Sequence, residues 1–151
     1  MARKLFSHQV TVTPGAAGQT QWEARVPTNQ RTLLHKIIFA PIGSTSASAP
    51  LKWELGIASA DGTYTDDSAA IVKEVPAFSG SILTTVHIVP TVEPGTFTRH
   101  FWITLHQQAR LVWIPPTLDG FLIMDTGIRW SLRCQTANPG FAVQYEFHME
   151  E

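Results

Sequence analysis

Cysteine is almost absent from this chain, because Cys134 is the only one among 151 residues. A single thiol excludes an intrachain disulfide, so packing alone must stabilise the fold. Cys134 falls on the apolar side of an alternating stretch. That position indicates a small core residue rather than a nucleophile.

Charged side chains are also scarce. They make up 15% of the residues, against about 25% in an average soluble domain. The net charge is -1, so no global basic field would attract nucleic acid. Two interpretations remain open: a threonine-rich β protein, or a protein whose surface is covered by neighbouring subunits, since interface cores are depleted in charge.

Long apolar runs are missing as well. Residues 1–6 contain two basic residues with no apolar stretch behind them, so we do not expect a signal peptide. No segment approaches the length of about 20 apolar residues that a membrane-spanning helix needs. We therefore expect a protein that is made in a cytoplasm and has no membrane partner.

What the chain does contain is alternation of apolar and polar residues with a period of two. It is clearest in two runs on either side of a break at residues 137–140: Ile128, Trp130, Leu132 and Cys134, then Phe141, Val143, Tyr145 and Phe147. Such a period indicates strands with one buried face. Two strands around a break with Gly and Pro predict an antiparallel hairpin. Its polar face is expected to be solvated or to contact another subunit: Arg129, Arg133, Gln144 and Glu146.

Similar runs between turn signals predict about ten strands and no amphipathic helix of any length. The expected fold is a single all-β domain over residues 1–151, an antiparallel β-sandwich with jelly-roll topology. Residues 65–80 are open to two interpretations. Asp66, Asp67 or Ser68 would cap a short helix, or residues 70–75 would form an edge strand, which we favour.

Catalytic motifs do not occur in the sequence. There is no Gly-x-Ser-x-Gly, no phosphate-binding glycine loop and no basic-aromatic nucleic-acid motif, so we expect neither an enzyme nor a cofactor. None of the six histidines has metal-ligand spacing. His100 and His106 are the best placed for a metal, although solvated or interface positions explain them more simply. Turn capping explains the acidic residues Asp61, Asp66 and Asp67.

Five tryptophans are many for this length. Trp22, Trp53 and Trp130 belong to apolar strand faces and are expected in the core. Trp102 lies opposite the apolar set of its strand, and Trp113 comes just before a Pro-Pro pair. These two are candidates for exposed rings that bind a sugar or a protein partner, with burial in the core as the competing interpretation.

Residues 26–57 have a recognisable order of features. A Val-Pro-Thr-Asn-Gln-Arg turn leads into a strand with Ile37 and Phe39, then a Ser/Ala-rich loop at residues 44–49 and an apolar strand. This order resembles the small β-sandwich structural proteins of tailed bacteriophages. The C-terminal strands are similar to that pattern too. Residues 65–104 have no counterpart in it and are interpreted as an insertion.

The resemblance implies a non-enzymatic virion protein, made in the host cytoplasm, that decorates or cements the head or belongs to the tail or fibre assembly. It also implies a homo-oligomer, often a trimer, bound to other virion proteins such as the major capsid protein. Under this hypothesis the basic start of the chain, residues 1–6 with Arg3, Lys4 and Phe6, is an arm that contacts neighbours. Trp102 and Trp113 are the other candidate contacts.

Two alternatives belong to different classes. A carbohydrate-binding jelly-roll module would use the exposed tryptophans and polar loops to bind a glycan. A metal-dependent, cupin-like enzyme would use the histidines.

Overall fold

The computed structural model describes residues 4–43, 50–60, 62–74, 81–106, 109–136 and 142–151. This part of the chain forms two antiparallel sheets, which confirms the predicted all-β sandwich. It contains twelve strands, a three-residue 3-10 turn at Ser68–Ala70 and no α-helix. Several positions named in the predictions lie outside the described residues: Arg3, Asp61, the loop at residues 44–49, residues 75–80, and the break at residues 137–140 with Phe141.

The strands are numbered in chain order. They are β1 (Leu5–Val12), β2 (Gln19–Arg25), β3 (Thr32–Ile42), β4 (Pro50–Ala58), β5 (Thr63–Asp66), β6 (Ile71–Lys73), β7 (Thr85–Val92), β8 (Phe97–His106), β9 (Leu111–Trp113), β10 (Leu122–Met124), β11 (Arg129–Cys134) and β12 (Ala142–Glu150).

Each sheet mixes strands from both ends of the chain. Sheet A has the order β10-β3-β12-β1-β6, with β9 also paired to β3, and sheet B has the order β5-β7-β2-β11-β4-β8. The first and last strands pair along their length, with Leu5 opposite Glu150 and Val12 opposite Val143. Most pairing therefore joins residues that are far apart in the sequence.

The predicted closing hairpin is wrong. β11 pairs with β2 and β4 in sheet B, whereas β12 pairs with β1 and β3 in sheet A. The assignment of buried faces is confirmed, because Leu132, Cys134, Val143 and Phe147 are all fully buried. Both strands point their apolar faces into the same core from opposite sheets, so their alternation looks like that of a paired hairpin.

Aromatic rings join the two sheets through the core. Trp22 of sheet B stacks on Phe147 of sheet A at 3.8 Å between ring centroids. Trp53 donates its indole Nε1–H to the Tyr145 hydroxyl at 3.0 Å, and Phe39 lies against both rings. Burying one such ring away from solvent stabilises the fold by a few kcal/mol, at about 25 cal/mol per Å² of apolar area.

Residues 65–104, the expected insertion, supply strands to both sheets. β7 lies beside β2 in sheet B, and β6 lies beside β1 at the edge of sheet A. β8 does not look like part of an insertion, because it pairs along the whole of β4. Of the stretch at residues 65–80, which has two interpretations, the described residues 65–74 contain both a 3-10 turn and a short edge strand.

Candidate binding surfaces

Trp102 lies on the outer face of sheet B, on β8, which is an edge strand. Its side chain is 52% exposed, while its neighbour Ile103 points into the core. The guanidinium of Arg99 stacks over the indole at 4.2 Å from the ring centroid. One face of the indole is therefore covered and the other is open to a ligand or partner.

A β-bulge brings Arg99 and Trp102 to the same face. Residues three apart on a regular strand point to opposite faces. Opposite Leu55 and Gly56, however, the pairing moves from Phe101 directly to Arg99, so His100 is the extra residue. Bulges of this kind often re-aim side chains next to functional sites.

Glu54 fixes the orientation of the cluster around Trp102. Its Oε1 accepts a hydrogen bond from Nη1 of Arg99 at 3.2 Å, and its Oε2 accepts one from Nε2 of Gln135 at 2.7 Å. The four side chains Trp102, Arg99, Glu54 and Gln135 form what we name the Trp102 cluster. An open aromatic face beside charged donors and acceptors suits a sugar ring or a protein side chain.

Trp113 does not join this cluster. It is partly buried, lies opposite the buried Ile37 and packs edge-on against Phe101 with 5.5 Å between ring centroids. The structure therefore places Trp113 on the core side of β9. Its neighbours Val112 and Ile114 are the exposed residues there.

The prediction of an N-terminal arm is wrong for Leu5 and Phe6, because these two residues begin β1. Phe6 is fully buried and lies opposite Met149, so it offers no surface to a partner. Lys4 donates a hydrogen bond from Nζ to the Ser81 carbonyl at 2.7 Å. The alternation that begins at Phe6 predicts the local structure better than the basic residues before it do. The reason is that burying an aromatic ring contributes more free energy than an exposed charge does.

His100 and His106 lie too far apart to share a metal, because six residues of extended strand span about 20 Å. His100 instead packs against the Trp130 ring at 5.2 Å between centroids. Among the described residues, no group of three or more His, Cys, Asp or Glu side chains is close enough to hold a metal ion. In the same part of the chain, no helix is long and apolar enough to cross a membrane.

Cys134 is buried in the core, as its alternation predicts. Burial raises the pKa of its thiol to about 11. A thiolate, the reactive form, is therefore scarce at neutral pH.

Glu23 is a fully buried carboxylate on the outer side of sheet B, and no pattern in the sequence indicated its burial. It accepts hydrogen bonds from Nε of Arg25 at 2.6 Å, the Tyr64 hydroxyl at 2.7 Å and Oγ of Ser131 at 3.2 Å. Burial, followed by the bond to Glu23, raises the pKa of Tyr64 far above its ordinary value. All three donors bond to the one carboxylate, which indicates a structural network rather than a reactive site.

The polar residues of the last two strands do not form one cluster. Arg129 and Arg133 lie on the outer side of sheet B, and Gln144 and Glu146 lie on the outer side of sheet A. Arg133 stacks on the Phe97 ring at 4.2 Å. The two pairs are separated because their strands belong to different sheets.

A shallow groove on the outer face of sheet A was not predicted. It has a volume of about 220 Å³ and is lined by Ile38, Ala40, Arg110, Gln144 and Glu146. Ile38 and Ala40 form an apolar floor on β3, and the other three residues form a polar rim. We name it the sheet A groove. The outward position of Ile38 in the alternation of β3 is the sequence signal that could have found it.

Exposed apolar residues continue along the same edge of sheet A. Val112 lies opposite Ile38, and Ile123 lies opposite Leu33. Val112 is 49% exposed and Ile123 is 48% exposed. The loop between β9 and β10 adds Ile114 and the fully exposed Leu118. Four of the exposed large apolar side chains in the described residues therefore lie on β9, β10 and the loop that joins them.

No family model matches the chain, and neither the curated proteins nor the solved structures give a significant match.

Proposed function

We propose that this protein is a non-enzymatic structural protein of a tailed-bacteriophage virion, made in the host cytoplasm. The observation that carries the proposal is the exposed apolar edge of sheet A, formed by Val112, Ile114, Leu118 and Ile123. Several exposed apolar side chains along one edge of a sheet commonly mark a protein contact. The low charge of the chain supports the same conclusion, since interface cores are depleted in charge.

The proposal includes a jelly-roll topology, and the strand order supports it. With β5, β6, β7 and β10 set aside, sheet A has the order β1-β12-β3-β9 and sheet B has the order β2-β11-β4-β8. Eight strands in this order make two Greek keys wrapped around one core, which is common in capsid domains. The strands β5 to β7 would then be an insertion between the fourth and fifth strands of the roll.

The proposed mechanism is mechanical. A rigid sandwich would present the edge of sheet A to further copies of itself and to other virion proteins such as the major capsid protein. Contact with a partner would bury the exposed isoleucine, leucine and valine side chains, each worth roughly 1.5–3 kcal/mol when fully buried. Neither nucleic acid nor a membrane is part of the proposal.

Self-association and particle binding test the proposal together. We expect analytical ultracentrifugation of the purified chain to give a defined oligomer, with a trimer as the first expectation. We also expect the chain to co-sediment with bacteriophage capsids or tails. A chain that remains monomeric at high concentration and sediments apart from the particles would contradict the proposal.

A carbohydrate-binding module is the second candidate, favoured by the Trp102 cluster. The open face of the indole would stack on a sugar ring, and Glu54 and Gln135 would bond its hydroxyls. The test is a glycan array with the wild type and Trp102→Ala. Under this candidate the variant loses at least about tenfold in affinity, a typical loss for an anchoring aromatic residue.

The matched control is Trp113→Phe, which changes a ring on the core side of β9. It should bind glycans like the wild type. If the wild-type protein binds no glycan, or if Trp102→Ala binds as well as wild type, this candidate is removed and the structural proposal stands alone.

A further inference from the structure

A tight turn places an apolar residue at the tip of the β9–β10 loop. The Gly120 N–H donates to the Thr117 carbonyl at 3.1 Å, and the Thr117 hydroxyl donates to the Phe121 carbonyl at 2.6 Å. Gly120 has φ +70°, a conformation that glycine adopts without strain. We name residues 117–120 the Leu118 turn.

Leu118 is unusual at this position. Turn tips normally carry Gly, Asn, Asp or Ser, which are well solvated and suit turn geometry. Leu118 is instead fully exposed, and Asp119 beside it is exposed too. The two hydrogen bonds hold the tip in a defined shape, so little conformational entropy would be lost if a partner covered it.

The base of the loop is anchored. Pro115 is buried, and the Phe121 ring packs edge-on against His35 at 5.9 Å between centroids. The Thr117 N–H also donates to the Pro115 carbonyl at 2.8 Å. The Leu118 turn is therefore a projecting feature on a fixed base.

The sheet A groove offers this turn an apolar contact and one cation, Arg110, while the carboxylate on the same rim, Glu146, is already engaged by His148, with Oε1 2.7 Å from Nε2. Ile38 and Ala40 give the groove an apolar floor that suits a leucine side chain. Arg110 on its rim is exposed, and no described residue forms an ion pair with it. A carboxylate directly beside the leucine, as in Asp119, would meet that guanidinium.

We propose that the Leu118 turn of one copy docks in the sheet A groove of a second copy, with Leu118 on the apolar floor and Asp119 paired to Arg110. The turn and the groove are different surfaces, so the contact is head-to-tail. Such contacts close into a ring when the rotation between copies allows it and otherwise extend as a filament. A closed trimer is the form that the proposed virion function would use. The choice of a trimer therefore rests on the proposed function.

The first test removes the apolar contact. Leu118→Gln keeps the net charge and changes a side chain that no part of the fold covers, so its melting temperature should equal that of the wild type. We expect the dissociation constant for self-association, measured by analytical ultracentrifugation, to rise about tenfold or more, the range for a central anchor residue. Val92→Gln is the matched control, an exposed apolar residue at the end of β7, and should self-associate like the wild type.

The second test exchanges the charges. Asp119→Arg alone and Arg110→Asp alone should each weaken self-association, because each places like charges face to face across the contact. The double variant should recover most of the wild-type affinity, since the ion pair is restored with reversed polarity. Recovery of this kind shows direct pairing between copies, which loss of stability in a single variant could not mimic.

The outcomes separate this inference from the proposed function. Wild-type self-association that is unchanged by Leu118→Gln, or a double charge variant no better than its parents, would overturn the inference and leave the virion proposal intact. Self-association through the turn without binding to capsids or tails would support the inference and contradict the virion proposal. A monomeric wild type would overturn both.

Discussion

Glu23 shows how a single buried carboxylate is tolerated in this protein. Moving an unpaired charge out of water costs several kcal/mol, and the cost is offset only when the charge is fully hydrogen-bonded. Arg25, Tyr64 and Ser131 supply those bonds. Tyr64 belongs to β5, so the network also joins that edge strand to the centre of sheet B.

His8 is a second buried polar residue, and it makes the stability of the fold depend on pH. Its Nε2 lies 2.8 Å from Oδ2 of Asp67, and its Nδ1 has no hydrogen-bond partner among the described residues. Burial lowers the pKa of His8 below 6.5, and the bond to Asp67 opposes the shift only in part. The unfolded chain therefore binds a proton at His8 more readily than the native chain.

We expect His8 to destabilise the protein as the pH falls below about 6.5, its value in the unfolded chain. Above that pH, His8 is neutral in both states and the protein has its full stability. Below the pKa of His8 in the folded chain, the free energy of unfolding is lower by about 1.4 kcal/mol for each unit by which folding depresses that pKa. His8→Gln, which can still donate to Asp67, should flatten this part of the curve. Urea unfolding at several pH values measures it.

His106→Gln is the comparison variant, because His106 is exposed at the end of β8. It removes one imidazole without touching the His8–Asp67 pair, so it separates the effect of His8 from that of losing any histidine. If the curves for His8→Gln and the wild type run parallel from pH 7 to pH 5, His8 does not titrate as described.

At the scale of elements, the bulge between β4 and β8 depends on one glycine. A Cβ built on Gly56 would lie 2.2 Å from the Thr98 carbonyl oxygen, 2.8 Å from Cζ of Phe97 and 2.9 Å from Cα of Arg99. Two of these atoms are backbone, so they can move only if the strands separate. Gly56 is therefore a condition for the Trp102 cluster as well as for the pairing.

We expect Gly56→Ala to destabilise the protein by about 3 kcal/mol, the upper end for overpacked sites. Urea denaturation measures the free energy of unfolding. Gly15→Ala is the matched control, because its nearest neighbour is Oε1 of Gln19 at 3.3 Å, the end of a flexible side chain that can shift slightly while it still accepts the Gly15 N–H, now at 3.1 Å. A Gly56→Ala variant as stable as Gly15→Ala would show that β4 and β8 can separate at little cost.

The elements also show what a single sequence can predict. Period-two alternation correctly placed Trp22, Trp53 and Trp130 in the core, because it determines which face of a strand is buried. It does not determine the neighbouring strand, since every residue carries the same backbone donor and acceptor. The hairpin prediction for β11 and β12 was wrong for that reason.

The candidate surfaces follow the same rule. The alternation of residues along β8 predicts that Trp102 is exposed. Its contact with Arg99 depends on a bulge, and no repeating pattern in the sequence predicts that bulge. The sheet A groove needs β9, β3 and β12 side by side. Only long-range pairing brings Arg110 near Glu146, so no local pattern could have found it.

At the scale of the whole molecule, the pairing of the first and last strands governs the architecture. The Lys4 N–H donates to the Glu151 carbonyl at 2.9 Å, and the Glu151 N–H donates to the Lys4 carbonyl at 3.0 Å. The Glu151 carboxylate also accepts hydrogen bonds from the N–H groups of Leu83 and Thr84. The two ends of the described chain are thus joined to each other and to the strand β7 region.

This pairing determines the order in which the protein can fold. β11 and β12 are inner strands of their sheets, so β1 to β4 keep unpaired edges and an uncovered apolar face until the last strands have left the ribosome. Folding dominated by such distant contacts is slow, and its intermediates expose surfaces that aggregate. The nascent chain of this protein must therefore remain soluble, in the cell that makes it, through a period when its core cannot yet close.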